Sequence, residues 1–155
     1  MTDSVLVAAR FASYLLLLVA TGMPLHALFD GRQRLSGWDR AVLASLTLGI
    51  LAASSWWALA NVAAMAGLAI GELDPPTARA VLAATPLGAL LTVRAAALLV
   101  LAGLLAFHPA PRLLAPAALA ALATAAWAGH PGAGEGLAGI VLKTGDIIHL
   151  AAAAL

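Results

Sequence analysis

An all-α, polytopic bundle of about five transmembrane helices is the fold the sequence predicts, and three observations carry it. Hydrophobic residues make up 63% of the 155-residue chain. Charged residues supply only 10%, where a soluble domain carries about a quarter. The apolar residues are also gathered into runs close to the length of about twenty needed to cross hydrocarbon. Short stretches of Gly, Pro and charge separate these runs.

The first span is expected over residues 5–29, interrupted only by Arg10, Tyr14 and His26. The opening Met-Thr-Asp-Ser lacks the basic segment of a secretory signal, so this span reads as retained rather than cleaved. A loop with Gly31 and Gly37 follows, and Trp38, Asp39 and Arg40 read as an interfacial anchor. The second span is expected over 41–70, with Trp56 and Trp57 near its middle and Asn61 about one turn on. Gly71 to Pro76 closes it, and 77–84 reads as a short amphipathic surface piece. Thr85 as cap and Pro86 at the first helical position open a third span over 86–107, with Arg94 inside. His108 to Arg112 is a tight connection to a short Ala- and Leu-rich fourth span, 113–128. Pro131, Gly132, Gly134 and Gly136 form the next loop, and a fifth span runs over 137–155. The chain forms one transmembrane domain with no internal repeat. Its last residues, Ala-Ala-Ala-Ala-Leu155, stop inside an apolar run without a cap, which reads as a truncated fifth span.

Loop cations set the expected orientation. Arg32, Arg34, Arg40 and Arg112 flank the first and third loops, against Arg79 and Lys143 for the second and fourth. The positive-inside rule then places the first and third loops in the cytoplasm and the amino terminus outside.

Several classes of function are excluded or disfavoured. A formal net charge of +1 without a basic cluster argues against nucleic acid and leaves the lipid bilayer as the main partner. Cysteine is absent, which removes disulfides, thiolate ligation and cysteine nucleophiles. No Ser–His–Asp set, phosphate-binding glycine loop or His-Glu-x-x-His occurs, so no enzyme is expected. A metal site here must use His, Met, carboxylate or backbone oxygen.

The chemistry gathers between Trp127 and His149, where His130, Glu135, Lys143, Asp146 and His149 interrupt an otherwise apolar region. Ionisable groups at membrane depth are costly and usually functional. With a rise of 1.5 Å per residue, Arg94 lies roughly 12 Å inside its span, and Asp146 roughly 13–14 Å inside the fifth from the same side. Asn61 lies roughly 15 Å before Gly71. The expectation is a polar layer of Asn61, Arg94 and Asp146, with His149 about one turn deeper and His130 at the mouth, forming an ion pathway. The structural alternative is a single Arg94–Asp146 ion pair. Met23 and His26 share a helical face as a possible soft pair for Cu(I), but core packing is the simpler reading of Met23, and His26 reads as interfacial. His108 reads as a boundary residue. Lys143 and Asp146 also suit a local pair three residues apart, and the tryptophans read as packing.

Trp127-Ala-Gly129-His130, followed by a small-residue loop and then Asp146-Ile-Ile-His149, resembles the copper resistance protein D family (CopD/PcoD) with its "GH" and "D-x-x-H" motifs. Thr85-Pro-Leu-Gly88 with Arg94 is similar to that family's "T-x-x-G…R" segment. The motifs cover 85–155, and the remainder agrees by hydropathy. The family's D-x-x-H is followed by Trp-x-Gly, and this chain stops just short of that position. The resemblance implies a multi-pass protein of the bacterial inner membrane that handles copper beside a periplasmic CopC-like copper-binding partner. The family's methionine enrichment is missing, since only Met23 and Met65 follow the initiator, so His130, Asp146 and His149 are the expected metal ligands. The alternative function is haem binding, as b-type haem or in haem biosynthesis, with His149 as an axial ligand. A structural subunit that only docks a copper carrier is a third.

Overall fold

The computed structural model describes residues 2–128 and 136–155. Every regular element among them is helical: α1 (Thr2–Phe29), α2 (Gly37–Ala66), α3 (Pro75–Ala84), α4 (Pro86–Phe107), α5 (Pro111–Ala123) and α6 (Gly136–Ala153). Short 3-10 turns lie at Ile70–Glu72 and, continuing α5, at Thr124–Ala128. Five segments are long and apolar enough to cross a membrane: Leu6–Phe29, Gly37–Ala66, Pro86–Phe107, Pro111–Ala128 and Gly136–Ala153.

Local chemistry explains where these helices begin and end. The second starts four residues earlier than expected because Ser36 caps it. The Ser36 hydroxyl accepts from the Asp39 amide, and the Asp39 carboxylate accepts in turn from the Ser36 amide. This reciprocal capping box converts the expected interfacial anchor into the first helical turn. The same carboxylate pairs with Arg32 across the loop. The helix also stops earlier, at Gly67, whose φ of 69° is left-handed. The amides of Gly67 and Leu68 return to Ala64 and Ala63, closing a Schellman motif. Thr85 does stand at the N-cap of α4, but its hydroxyl donates back to Val81 O and leaves that helix start without a side-chain cap.

The bundle is arranged inside-out, as a membrane solvent favours. Large apolar side chains such as Phe11, Val19, Leu99, Phe107 and Ile140 face outward, while Ala20, Ala60, Ala63, Ala118, Ala121 and Ala125 fill the interior beside Ser13, Thr21, Ser54 and Thr124. Small residues let helix backbones approach and their hydroxyls bond between helices. α1 packs against α2 and α5, and α4 packs against α5 and α2 around Leu17, Leu43, Ile50, Leu101, Leu114 and Leu122. Thr21 donates to Ala118 O at 3.2 Å and Tyr14 to Ala125 O at 2.8 Å, tying α1 to α5 and to the turn after it. The Leu35 amide donates to Pro109 O at 3.0 Å, which joins the α1–α2 and α4–α5 loops at one end of the bundle. α3 and the end of the Thr124–Ala128 turn therefore lie at the other.

α6 is the least covered span, in contact with α5, the Thr124–Ala128 turn and α1. Gly139, Leu150 and Ala154 are buried and Lys143, Asp146, Ile147 and Ala151 half-buried, a stripe at helical spacing that faces the bundle. Its far end approaches α1 at Gly22, where an added Cβ would lie 2.5 Å from Ala154 O.

Gly22→Ala is accordingly expected to push α6 off α1 and to cost about 1–3 kcal/mol by overpacking. Thermal unfolding of the purified protein in detergent measures this, and an unchanged midpoint would show that the contact does not matter. Asp74 caps α3 by accepting from the Thr77 amide at 2.7 Å, and that bond holds its carboxyl below the usual carboxylate range. A depressed pKa means that the cap stabilises above the unfolded value of about 3.9 and is lost as pH falls through the lower folded value. The Thr77 amide resonance is expected to titrate below about pH 3.9 in the wild type and not in Asp74→Asn.

Candidate functional site

The polar centre of the bundle is built on α2, α4 and the turn after α5. Ser54, Trp57 and Asn61 recur on α2 at a spacing of three and four, so they share one face. Arg94 projects from α4 into that face and is only 3% exposed. Its Nε donates to Thr124 Oγ1 at 2.8 Å, its Nη1 makes a long 3.5 Å bond to Ser54 Oγ, and its Cζ stands 5.9 Å from the Trp57 ring centroid. The Thr124 hydroxyl donates onward to Ala121 O at 2.6 Å. Asn61 donates to Trp57 O at 2.8 Å, holding the turn of α2 that carries the indole.

Magnitudes show why neutral partners suffice. A guanidinium in mid-helix costs about 2.5–3.5 kcal/mol on the membrane-insertion scale. A hydrogen bond from a charged donor returns about 1.5–3 kcal/mol, and a desolvated cation–π contact up to about 2. The charge is therefore tolerable without a carboxylate, but not saturated. Arg94 Nη2 is buried and has no hydrogen-bond partner.

These facts sort the expected layer. Asn61 and Arg94 each engage Trp57, Asn61 at its backbone carbonyl and Arg94 over its ring. Asp146 and Arg94 form no ion pair, so the structural alternative is set aside: the guanidinium is occupied by Thr124, Ser54 and Trp57. Asp146 lies half-buried on the bundle-facing stripe of α6, whereas His149 is exposed on that helix. Depth counting along an axis fixes a level but not a direction around the helix, and these two differ in direction. His130 and Glu135 lie outside the described residues. Among the described residues, no three His, Cys, Asp or Glu side chains come together as a metal site. The sequence reading missed Ser54 and Thr124 and took Trp57 for packing. The recurrence of Ser54, Trp57 and Asn61 on one face was the available signal.

Beside this centre a cavity of about 670 Å³ opens at the α3 end of the bundle. Trp57, Asn61 and Met65 of α2, the start of α4 from Thr85 to Val93, and Thr124, Trp127 and Ala128 line it. A second cavity, about 550 Å³, lies at the opposite end against Met23, His26 and the Arg32–Asp39 pair. Met23 and His26 thus share a cavity wall, with Met23 half-buried and His26 exposed.

The family model described as copper resistance protein D-like, N-terminal domain, matches residues 1–140. The chain belongs to this family. The match reaches through the first three helices, where the sequence offered only hydropathy, and stops before Asp146 and His149. A search of curated proteins and a search of solved structures each found no match. Membership in the copper resistance protein D-like family, with five apolar helices, makes the chain a multi-pass membrane protein with a role in copper resistance in general.

Replacing Thr124 in this copper resistance protein D-like chain by Val removes the acceptor of Arg94 Nε while keeping the volume. The variant is expected to lose about 1–3 kcal/mol, because a buried charged donor is left unpaired. Urea or thermal unfolding in detergent measures the loss, and wild-type stability would show that Thr124 is dispensable.

Proposed function

We propose that this protein passes copper ions through the bacterial inner membrane along α6. The observation that carries the reading is Asp146: a half-buried carboxylate on the bundle-facing stripe of a membrane-spanning helix, in a chain of the copper resistance protein D-like family. Among the described residues no hydrogen bond or ion pair holds that carboxylate, so its charge is available to a cation. A carboxylate together with imidazole nitrogen suits copper, and Cu(II) in particular. His130, Asp146 and His149 supply the donors that take and relay the ion. Arg94, buried on neutral partners, sets the electrostatic potential of the interior rather than a ligand position. A periplasmic CopC-like protein is the partner that would deliver or receive the ion.

His149→Ala and Asp146→Asn are each expected to weaken copper binding by at least about tenfold, the scale that even outer-shell partners of metal ligands reach. Copper titration of the purified full chain and copper accumulation in cells measure this. Unchanged binding in both variants would remove these residues from the path. A Soret band in the purified protein would instead favour haem ligation by His149. Absence of stoichiometric metal binding in the wild type would leave docking of a copper carrier as the surviving role.

A further inference from the structure

The cavity beside Arg94 carries chemistry that copper passage does not use. Two independent sources of positive potential converge on it. One is Arg94, which does not itself line the cavity but bonds Thr124 and stands over Trp57, two residues that do, with Nη2 buried and without an acceptor. The other is the start of α4. Thr85, Pro86, Leu87 and Ala89 line the cavity, and no side chain caps this 22-residue helix. Its first amides therefore keep their unsatisfied donors and the positive end of the helix dipole. Arg10 and Arg94 are the cationic side chains on aromatic rings here, and among the described residues no carboxylate pairs with either.

Apart from Asn61, the remainder of the wall is apolar, with Met65, Leu90, Val93 and Trp127. A small hydrated anion gains nothing from such a surface, whereas a charged head joined to a hydrocarbon chain satisfies both halves. The position also suits it. The cavity lies where α2 ends and α4 begins, toward one end of two helices long enough to cross a bilayer. A copper cation, by contrast, is repelled by the same field.

We propose that this cavity binds an anionic amphiphile, a singly negative headgroup on an acyl chain. The headgroup lies against the α4 amides and in the field of Arg94, and the chain runs along Leu90 and Val93 toward the lipid. Trp57 both lines the cavity and stands against the Arg94 guanidinium, which makes it the natural reporter. A free fatty acid and an anionic phospholipid share this chemistry.

The test uses the full chain in phosphatidylcholine nanodiscs, with Trp38→Phe and Trp56→Phe leaving Trp57 and Trp127 as fluorophores. Three brominated quenchers are compared: 11-bromoundecanoate, bromo-acyl phosphatidylglycerol and bromo-acyl phosphatidylcholine. The expected result is quenching by one or both anionic probes that saturates at about one per chain and is reversed by unbrominated dodecanoate, as a single charge-assisted site demands. The carboxylate and phosphatidylglycerol arms tell the two sources apart. Arg94→Gln is expected to weaken that binding by about tenfold or more, and Arg94→Lys by less, since a charged donor is lost in the first and kept in the second. Equal, unsaturable quenching by all three probes, or binding that survives Arg94→Gln unchanged, overturns the proposal. If Arg94→Gln does not fold, Ala120→Phe, which fills the cavity and leaves Arg94 in place, decides: lost quenching supports the site and retained quenching refutes it.

Discussion

Arg94 carries a permanent charge into a part of the bundle sheltered from water, and the neutral groups that meet it fix how three segments must be arranged. Thr124 has to present its hydroxyl from the turn after α5, Ser54 has to face inward from α2, and Trp57 has to lie across the guanidinium. None of these residues is charged, so none adds a desolvation cost of its own on the scale of a buried carboxylate. The arrangement leaves one nitrogen unpaired. That residual positive field separates the chemistry of the Arg94 centre from that of α6, where a half-buried carboxylate faces the bundle.

The remaining packing follows from what hydrocarbon permits. Without water to expel between helices, association depends on close backbone approach and on hydroxyls that bond across helices. The alanines of α1 and α5 provide the first, and Thr21 and Tyr14 provide the second by donating to α5 and to its terminal turn. These bonds hold the Thr124–Ala128 turn against α1, which in turn holds Thr124 in reach of Arg94. The same turn forms one wall of the adjoining cavity and leads along the chain toward His130. Packing of small residues and placement of the charged centre are thus one problem rather than two.

Two polar features of the bundle lie on different helices. Along α6, Lys143 and Asp146 turn toward the bundle, while His149 is exposed on the same helix. Beside Arg94, the uncapped start of α4 and the rings of Trp57 and Trp127 line a separate cavity.

The sequence by itself determined the fold class, five spans, the start of α4 at Pro86 and the family to which the chain belongs. Hydropathy over twenty residues and proline at a helix start are local properties, so they survive without any tertiary information. It also flagged Arg94, Asn61, Asp146 and His149, because an ionisable or amide group in an apolar run is conspicuous wherever the run folds. Only the tertiary structure decided which of them meet. Thr124 and Ser54 stand 30 and 40 residues from Arg94 in the chain, and no spacing rule links them. Direction around each helix was harder to read, since apolar residues occupy both the lipid-facing and the bundle-facing sides and leave only sparse polar marks such as Ser54, Trp57 and Asn61 on α2. Depth is written along a chain, but azimuth is set by the neighbouring helices. That is why Asn61 and Arg94 both engage Trp57, while the Arg94 guanidinium takes Thr124 and Ser54 rather than Asp146 as its partners.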